Sequence, residues 1–411
     1  MKNTFENSIQ LALWQRETDH KIASNLLNLE LAEAIKTYHA GFPQYGKTPL
    51  VSLNSLATTL DVAHIWIKDE SHRFGLNAFK VLGGSYAVGR VIAKQLNLPE
   101  ERLSYKTITA QETKDALGEM TFVTATDGNH GRGIAWTAEA LGQKAVVYMP
   151  KGSSEERLQN IKNHGAEASI TNMNYDDAVR LANQMAEENG WLLVQDTAWT
   201  GYEEIPTWVM QGYMTMALEA YQEILESGQK MPTHIFLQAG VGSMAAAVSG
   251  FFRNVLKSED LKIIIVEPDQ ADCLYQTAMA NDGTLHSVTD DMNTIMAGLA
   301  CGEPSTIGWA VLKSSVDAFI SCPDWTSAQG MRILGNPSES DQKVISGESG
   351  AVGIGLLSEL MSESRYQEMR ESLNLNQNSR ILFFSTEGNT DKQAYRSIVW
   401  DGNYAKPSER I

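Results

Sequence analysis

Short apolar runs alternate with amphipathic segments along most of this 411-residue chain. The runs leave no polar face along the segment, which is typical of strands that are buried on both sides. The predicted strands span residues 64–67, 121–125, 145–148, 168–171, 191–194, 234–238, 262–266, 318–321 and 380–385. Helical patterns lie between most of them, among others at residues 81–96, 155–164, 175–189 and 209–226. This alternation predicts an α/β protein whose parallel sheets are covered by helices on both faces.

The two ends of the chain carry weaker patterns. Residues 1–45 predict an irregular, partly helical arm, with apolar periodicity at 25–35. Residues 405–411 are predicted to fray, as chain ends usually do. A chain of 411 residues exceeds what one hydrophobic core usually serves, so we expect two domains, one of them inserted in the other.

Composition narrows the class of protein. Apolar residues make up 43% and charged residues 20% of the chain, which suits a soluble globular enzyme. The net charge of -17 argues against nucleic acid or an anionic membrane as partner, because both need clustered lysine and arginine. Residues 1–7 lack the apolar core of a signal peptide, and no apolar run approaches the length of a membrane span. We therefore expect a cytoplasmic protein.

The cysteines and histidines predict neither a disulfide framework nor a metal site. The three cysteines are Cys273, Cys301 and Cys322, and they show no CxxC spacing. The sequence favours three reduced thiols, although a Cys273–Cys301 disulfide is not excluded. The eight histidines show no HxxxH spacing, so no metal is predicted.

A single lysine is placed where reactive amines occur. The apolar strand Ile65–Ile67 runs into a polar loop with Gly75, and the loop delivers Lys80, flanked by Phe79 and Val81, to a predicted helix start. Loss of water and the positive end of the helix dipole both favour a neutral amine there. A neutral amine attacks aldehydes. The commoner alternative is a lysine whose stem lies on the surface and whose ammonium stays in water.

Polar loops follow several predicted strands, where open parallel sheets bind ligands. Asp127, Asn129 and His130 follow strand 121–125, and the helix start beyond them offers backbone N–H groups to a carboxylate. A glycine-rich turn that binds no ligand is an equally supported interpretation of that loop. Asp196 also ends a strand, although turn or cap residues are more common at such positions. The hydroxyls after strand 381–384 either meet a ring nitrogen or cap the next helix.

A glycine loop follows strand 234–238. Gly240 and Gly242 let the backbone approach a phosphate and aim N–H groups at it. The same segment matches the dinucleotide fingerprint GxGxxA, and Glu267 ends the next strand, where a ribose-binding acid would lie. A nicotinamide- or flavin-dependent oxidoreductase is therefore an alternative, but it leaves Lys80 and the Asp127 loop without a role.

Together these motifs resemble the tryptophan-synthase-β-like superfamily of pyridoxal 5'-phosphate enzymes, known as fold type II. The matching landmarks, in the family's order, are residues 48–50, 68–70, 79–80, 128–131, 240–242, 348–351 and 385–389. Within the superfamily the chain resembles the diaminopropionate ammonia-lyases, through residues 79–84, 126–133, 148–152, 173–177, 195–199, 205–208, 295–304 and 345–351. Asp127 stands where the superfamily commonly has serine or another small residue. The Gly-Val-Gly-Ser loop at 240–243 departs from the four-glycine loop of other members.

The resemblance implies a fold and a reaction. The fold would be two doubly wound open α/β domains with pyridoxal phosphate in the cleft between them. Residues 1–89 and 206–411 would form the large domain, and residues 90–205 the smaller inserted one. The reaction would be α,β-elimination from 2,3-diaminopropionate, giving pyruvate and two ammonia. A homodimer acting on a small amino acid is also implied.

The resemblance also implies roles for particular residues. Lys80 would hold the cofactor as a Schiff base and serve as a candidate base for one enantiomer. Asp127 would be the base on the opposite face, used for the D isomer, and Asp196 a further base or an anchor for the β-ammonium. A serine or threonine dehydratase, the closest rival, lacks the Asp127 carboxylate. A catalytically silent relative is disfavoured because Lys80, Asp127 and the glycine loop are all intact.

Binding roles follow in the same way. Phe79 lies beside the cofactor lysine, Asn129 would meet the ring hydroxyl, and Thr386 or Ser385 the pyridine nitrogen. The phosphate would be bound by Gly240, Val241, Gly242, Ser243 and Met244. The substrate carboxylate would lie on the loop made of Thr126, Asp127, Gly128 and His130.

Overall fold

The computed structural model describes residues 8–289, 291–338 and 340–407. The signal-peptide expectation at residues 1–7 and most of the predicted C-terminal fraying, at 408–411, lie outside these ranges. The described strands are β1 Gln10–Leu13, β2 Leu50–Ser52, β3 His64–Asp69, β4 Thr121–Ala125, β5 Lys144–Met149, β6 Glu167–Ile170, β7 Leu192–Leu193, β8 His234–Gln238, β9 Lys262–Pro268, β10 Ala318–Cys322 and β11 Arg380–Ser385.

Helices connect and cover these strands. The α-helices are α1 Lys21–Leu26, α2 Leu29–Ala40, α3 Asn54–Thr59, α4 Val81–Gln95, α5 Tyr105–Thr109, α6 Gln111–Leu117, α7 Asn129–Leu141, α8 Glu155–Lys162, α9 Tyr175–Asn189, α10 Glu204–Gly212, α11 Met214–Glu226, α12 Ser243–Leu256, α13 Cys273–Ala280, α14 Thr306–Ser315, α15 Asp324–Gly335, α16 Glu348–Ser362, α17 Gln367–Ser372 and α18 Lys392–Val399. Short 3-10 helices lie at Glu70–Gly75, Glu100–Arg102, Ala297–Leu299 and Ser364–Tyr366.

Within the described residues the strands form two sheets. The larger has the order β1-β10-β9-β8-β11-β3-β2, and the smaller has the order β6-β5-β4-β7. Neighbouring strands are parallel except at the two edges of the larger sheet, where β1 and β2 are antiparallel. The predicted α/β fold with parallel sheets is confirmed, and each predicted strand is present.

The structure differs from the sequence-based expectation at three elements. The strands β1 and β2 were not predicted, and the predicted helix 209–226 is two helices, α10 and α11, that meet at Tyr213. The Tyr213 N–H bonds to the carbonyl of Met210, three residues back, which ends α10 with a tightened turn. The helix α10 also begins earlier, and Pro206 lies in its first turn, where proline costs no hydrogen bond.

Two glycines bring the helices around Lys80 together. A β-carbon on Gly83 in α4 would lie 2.6 Å from the Tyr213 ring and 2.7 Å from Val209, so α4 and α10 meet at backbone distance. A β-carbon on Gly133 in α7 would lie 2.9 Å from the Cα of Val81. The start of α4, which carries Lys80, is therefore fixed by helices from both sides.

The two sheets contribute loops to one cavity. The strands β4 and β7 of the smaller sheet lead to Asp127 and Asp196, and β8 and β11 of the larger sheet lead to Gly240 and Thr386. The strands of the smaller sheet all lie between residues 121 and 193, and α4 runs across the expected domain boundary at residues 89 and 90. Among the described residues, no helix has the length and apolar character needed to cross a bilayer.

Candidate active site

A cavity of about 350 Å³ lies between the two sheets. The predicted site residues that line it are Phe79, Lys80, Asp127, Asn129, Asp196, Gly240, Val241, Gly242, Ser243, Met244 and Thr386. The predicted residues that do not line it are Thr126, Gly128, His130 and Ser385. The structure thus brings the cofactor and acid–base candidates together from five separate chain segments.

Lys80 is the residue just before helix α4, and its ammonium forms an ion pair with Asp196 inside the cavity. Its amine also lies 5.9 Å from the centre of the Phe79 ring. Burial lowers the pKa of Lys80, but the negative charges of Asp196 and Asp127 outweigh burial and raise that pKa above its ordinary value. The expectation of a neutral amine is therefore wrong for this structure. The sequence does not show that Asp196 pairs with Lys80, because the two residues are far apart along the chain.

Asp196 is held by donors on its other side. The Tyr175 hydroxyl donates to Oδ1 at 2.8 Å, and Gln195 Nε2 donates to the same oxygen at 3.2 Å. The Gln195 amide is itself oriented, because its Oε1 accepts the Ala125 N–H at 3.0 Å. Burial raises the pKa of Asp196, but Lys80, His130 and the Tyr175 hydroxyl more than offset it, so the pKa falls below the ordinary value. Asp196 is therefore an anion whose free oxygen faces Lys80.

Asp127 lies in a different electrostatic setting. Its Oδ2 lies 3.4 Å from Nη1 of Arg157. Burial raises the pKa of Asp127, Arg157 and Lys80 lower it, and Glu387 raises it again, with a net rise. A carboxylate with a raised pKa is the stronger proton acceptor of the two aspartates.

Polar side chains from both sheets face another part of the cavity. Asn129 Nδ2 donates to Glu387 Oε2 at 2.6 Å, and Gln238 Nε2 donates to Thr386 Oγ1 at 2.8 Å. Burial and the neighbouring Glu387 raise the pKa of Glu348 to about 7. This side of the cavity therefore offers an amide, a hydroxyl and a carboxyl that titrates near neutral pH.

The glycine loop forms an anion cradle at the start of α12. Gly242 has a φ of +100°, which favours glycine, and it turns the chain directly into the helix. A β-carbon on Gly240 would lie 3.2 Å from the Cα of Leu299 and 3.1 Å from Cys301 Sγ, so the loop has no room for a side chain there. The unpaired N–H groups of a helix start attract a phosphate.

Two further donors in the cavity have no partner. The Tyr213 hydroxyl and Ser349 Oγ are buried, line the cavity and make no hydrogen bond. An orphaned buried polar atom carries a free-energy cost that a bound ligand can remove. An amine for an aldehyde, a cradle for a phosphate and free donors for a polar ring together fit pyridoxal phosphate.

The predicted residues outside the cavity shape the loop behind it. Thr126 Oγ1 accepts the Gly128 N–H at 2.9 Å, and Gly128 has a φ of +150°. His130 Nε2 donates to the Val194 carbonyl at 2.8 Å, which ties this loop to β7. The Ser385 hydroxyl donates to Ser346 Oγ at 2.8 Å, so Thr386 is the hydroxyl that faces the cavity.

Several residues of the site were not assigned from the sequence. Arg157 resembles a surface cation in the first turn of a helix, yet its side chain is only 7% exposed. Tyr175 and Gln195 lie within the motifs on which the family resemblance rests. The sequence therefore marks both residues, but it does not show that they bind Asp196. Glu387 and Tyr213 gave no separate signal, because glutamate after a strand and tyrosine in an apolar helix are both common.

The structure answers two questions that the sequence left open, whether Cys273 and Cys301 pair and whether Glu267 can bind a ribose. All three thiols are free and buried, and Cys273 Sγ lies 3.9 Å from the Gly240 carbonyl. Glu267, the expected ribose-binding acid, is fully buried and accepts the backbone N–H groups of Leu274 at 2.9 Å and Tyr275 at 2.7 Å. Its carboxylate caps helix α13 and is not available to a ribose.

The chain is similar to known pyridoxal phosphate enzymes. Residues 42–385 match the family described as "Pyridoxal-phosphate dependent enzyme". A diaminopropionate ammonia-lyase of Salmonella typhimurium is 53% identical over 384 residues, which is 93% of this chain and 95% of that protein. The diaminopropionate ammonia-lyase of Escherichia coli K12 is 50% identical over 383 residues, with 93% and 94% of the two chains covered.

Solved structures give the same result. The holo form of the Escherichia coli diaminopropionate ammonia-lyase superimposes with a TM-score of 0.90 at 47% identity, covering 99% of this chain and 100% of that one. The same enzyme in complex with D-serine also gives a TM-score of 0.90, with 98% and 99% of the chains covered at 47% identity. The chain belongs to the pyridoxal-phosphate-dependent enzyme family and, within it, to the diaminopropionate ammonia-lyases.

Proposed function

We propose that this chain catalyses the pyridoxal-phosphate-dependent α,β-elimination of 2,3-diaminopropionate, giving pyruvate and two ammonia. The observation that carries the proposal is one cavity in which Lys80, a phosphate cradle and the Asp127 carboxylate lie together. Pyridoxal phosphate, when bound, supplies an electron-accepting ring that stabilises negative charge at the substrate Cα. The residues would supply binding, orientation and proton transfer.

Lys80 and Asp196 form the first proton-transfer pair of the proposal. With cofactor and substrate bound, the neutral amine of Lys80 would accept the Cα proton, and the same proton would then go to the leaving β-nitrogen. The Asp196 carboxylate, which pairs with Lys80, would stabilise the ammonium between these two transfers. Tyr175 would keep the Asp196 carboxylate fixed while that transfer takes place.

Asp127 is the second proton acceptor of the proposal. Its pKa is raised where that of Asp196 is lowered, which makes Asp127 the better proton acceptor of the two. Asp127 and Lys80 enter the cavity from different segments, and we propose that Asp127 serves the D isomer and Lys80 the L isomer. A D-serine complex of the Escherichia coli relative supports access of D amino acids to such a site.

The binding roles belong to the same proposal. Asn129 would meet the ring hydroxyl, Thr386 the ring nitrogen and residues 240–244 the phosphate. The loop from Thr126 to His130 would receive the substrate carboxylate. A neutral Thr386 hydroxyl at the ring nitrogen would leave the ring a milder electron acceptor than a carboxylate would, which favours elimination.

Organisation and location complete the proposal. Residues 1–89 with 206–411 would form the large domain and residues 90–205 the inserted one, in line with the position of the smaller sheet. A cytoplasmic homodimer is proposed from composition and resemblance. Light scattering on the purified protein would test the dimer.

The test of the proposed function is a pyruvate-release assay on D- and L-diaminopropionate beside D- and L-serine. We expect diaminopropionate of at least one hand to be turned over faster than either serine. Faster turnover of serine would instead identify a dehydratase, and no pyruvate from any of the four would refute the proposal.

A further inference from the structure

Arg157 is a buried cation of the cavity that the proposed reaction does not yet use. It lies on helix α8, beside the smaller sheet, and its side chain is 7% exposed. It lines the same cavity as Lys80 and Asp127. Burying a guanidinium costs free energy unless carboxylates lie close to it, so the groups around Arg157 indicate its role.

Two contacts hold Arg157 in place. Nη1 lies 3.4 Å from Asp127 Oδ2, and Nη2 donates to Thr390 Oγ1 at 3.4 Å. Its stem packs on Gly128, where an added β-carbon would lie 3.1 Å from Cδ of Arg157. Arg157 therefore contacts both Asp127 and the residue that follows it, Gly128.

The charges around Arg157 are mostly negative. Four carboxylates face it, from three separate loops and helices, and they are Asp127, Glu348, Glu387 and Asp391. These attractions outweigh burial and raise the pKa of Arg157, so its charge is permanent. Its Nε is buried and has no partner. With two long hydrogen bonds and a buried Nε that has no partner, Arg157 is held in place mainly by the charges of the surrounding carboxylates.

We propose that Arg157 is a positioning residue that holds Asp127 as the proton acceptor for D-diaminopropionate and thereby sets the balance between the two enantiomers. This inference rests on the proposed function, in which Asp127 serves the D isomer and Lys80 the L isomer. Arg157 acts through Asp127 and touches no reacting atom in this role.

The electrostatic consequence has a definite sign. The groups that face Asp127 are the cations Arg157 and Lys80, the acids Glu387 and Asp196, and the neutral side chains Tyr213 and Cys301. Removing the Arg157 charge leaves the acids in place, so the pKa of Asp127 must rise. The acid limb of the D-isomer rate profile would then move to higher pH.

The experiment measures kcat and KM for both enantiomers from pH 4 to 9 in the wild type, Arg157→Met and Arg157→Lys, each loaded with pyridoxal phosphate. We expect Arg157→Met to lower kcat for the D isomer by roughly 10- to 100-fold, with the acid limb about one unit higher. The L-isomer profile should keep its acid limb. Arg157→Lys should recover most of the D activity, because it keeps the charge.

The matched control is Arg180→Met, which removes an arginine that also pairs with an aspartate, 2.9 Å from Asp177, but is 57% exposed and does not line the cavity. It should leave both profiles unchanged. If Arg157→Met does not fold, Arg157→Gln, which also removes the charge, replaces it with α-deuterated substrates, and a larger isotope effect for the D isomer alone supports the proposal.

Three results would overturn the inference. Equal losses for both enantiomers with unmoved profiles would make Arg157 a structural residue. A raised KM for both enantiomers with kcat retained would make it a substrate-carboxylate anchor. Unchanged D turnover would remove it from the reaction. Failure of the proposed function looks different, because the wild-type protein would then release no pyruvate from either enantiomer.

Discussion

Two clusters of buried charge can be compared in this molecule. The Arg73 cluster, made of Lys68, Glu70, Arg73 and Glu219, is fully buried. The cavity cluster, made of Lys80, Asp127, Arg157, Asp196 and Glu387, is largely buried, with the Lys80 and Asp127 side chains 17% and 13% exposed.

The Arg73 cluster satisfies its own hydrogen bonds. Arg73 Nε donates to Glu70 at 2.8 Å, and its Nη2 donates to Glu219 at 2.8 Å. Lys68 Nζ donates to the Thr48 carbonyl at 2.6 Å and lies 3.0 Å from Glu219. Burial opposes ionisation of Glu219, but Arg73 and Lys68 prevail and lower its pKa to about 2.

The cavity cluster leaves polar atoms without partners. Arg157 Nε of this cluster, and Tyr213 Oη and Ser349 Oγ of the cavity wall beside it, are buried and make no hydrogen bond. A closed network stabilises one packed state, whereas an open one keeps donors for a ligand. The Arg73 cluster and the cavity cluster therefore differ more in how completely their hydrogen bonds are satisfied than in how deeply they are buried.

The largest expected effect comes from Lys80→Ala. Pyruvate release should fall by at least about 10²–10⁴-fold, because the cofactor link and a proton carrier are lost together. The free energy of unfolding should change little by comparison, since Asp196 keeps Tyr175 and Gln195 as donors. Pyruvate assays and denaturant titrations check this, and retained turnover would place the chemistry elsewhere.

Arg73→Met should show the opposite behaviour. It leaves Glu70 and Glu219 buried without their cation, so we expect the free energy of unfolding to fall by about 3–5 kcal/mol. Turnover per folded molecule should stay near that of the wild type, as measured by urea denaturation beside active-site titration. A selective loss of turnover with normal stability would erase the distinction between the clusters.

Asp127→Asn is a smaller and more selective change. It keeps the shape of the side chain and removes the base, so D-diaminopropionate should lose about 10-fold or more of its turnover relative to L. Side-by-side assays of the two enantiomers measure the ratio. Equal losses would show that Asp127 does not discriminate between them.

The last effect is confined to the pH dependence of stability and concerns His39, whose pKa Arg73 and Glu219 influence. Burial, together with Arg73, lowers the pKa of His39 from 6.5 to about 3. The folded state then binds fewer protons than the unfolded one between these values, so stability is complete above pH 6.5 and is lost as the pH falls toward 3. The slope is up to about 1.4 kcal/mol per pH unit. His39→Gln should flatten it in denaturation measured from pH 4 to 7, and an unchanged slope would contradict the assignment.

The sequence predicts the buried strands well, because a continuous apolar run is a local signal. It misses β1 and β2, which are short antiparallel edge strands defined by their partners and not by their own pattern. It also joins α10 and α11, because the apolar periodicity continues through Tyr213. Edge pairing and close helix contacts depend on distant residues, which a window of sequence does not contain.

The site shows the same division. Lys80 and the glycine loop are found from the sequence, because each follows a strand and precedes a helix. The protonated state of Lys80 is not, because Asp196 lies 116 positions away along the chain. The burial of Arg157 also depends on tertiary packing. Local motifs therefore indicate the cofactor, whereas charge states and partners come from the fold.

The most direct test of the central claim is borohydride reduction of the protein after it has been supplied with pyridoxal phosphate, followed by peptide mass mapping. The account predicts a stable cofactor adduct on the peptide that contains Lys80 and loss of activity in proportion to labelling. An adduct on another lysine with Lys80 unmodified, or no adduct at all, would contradict it.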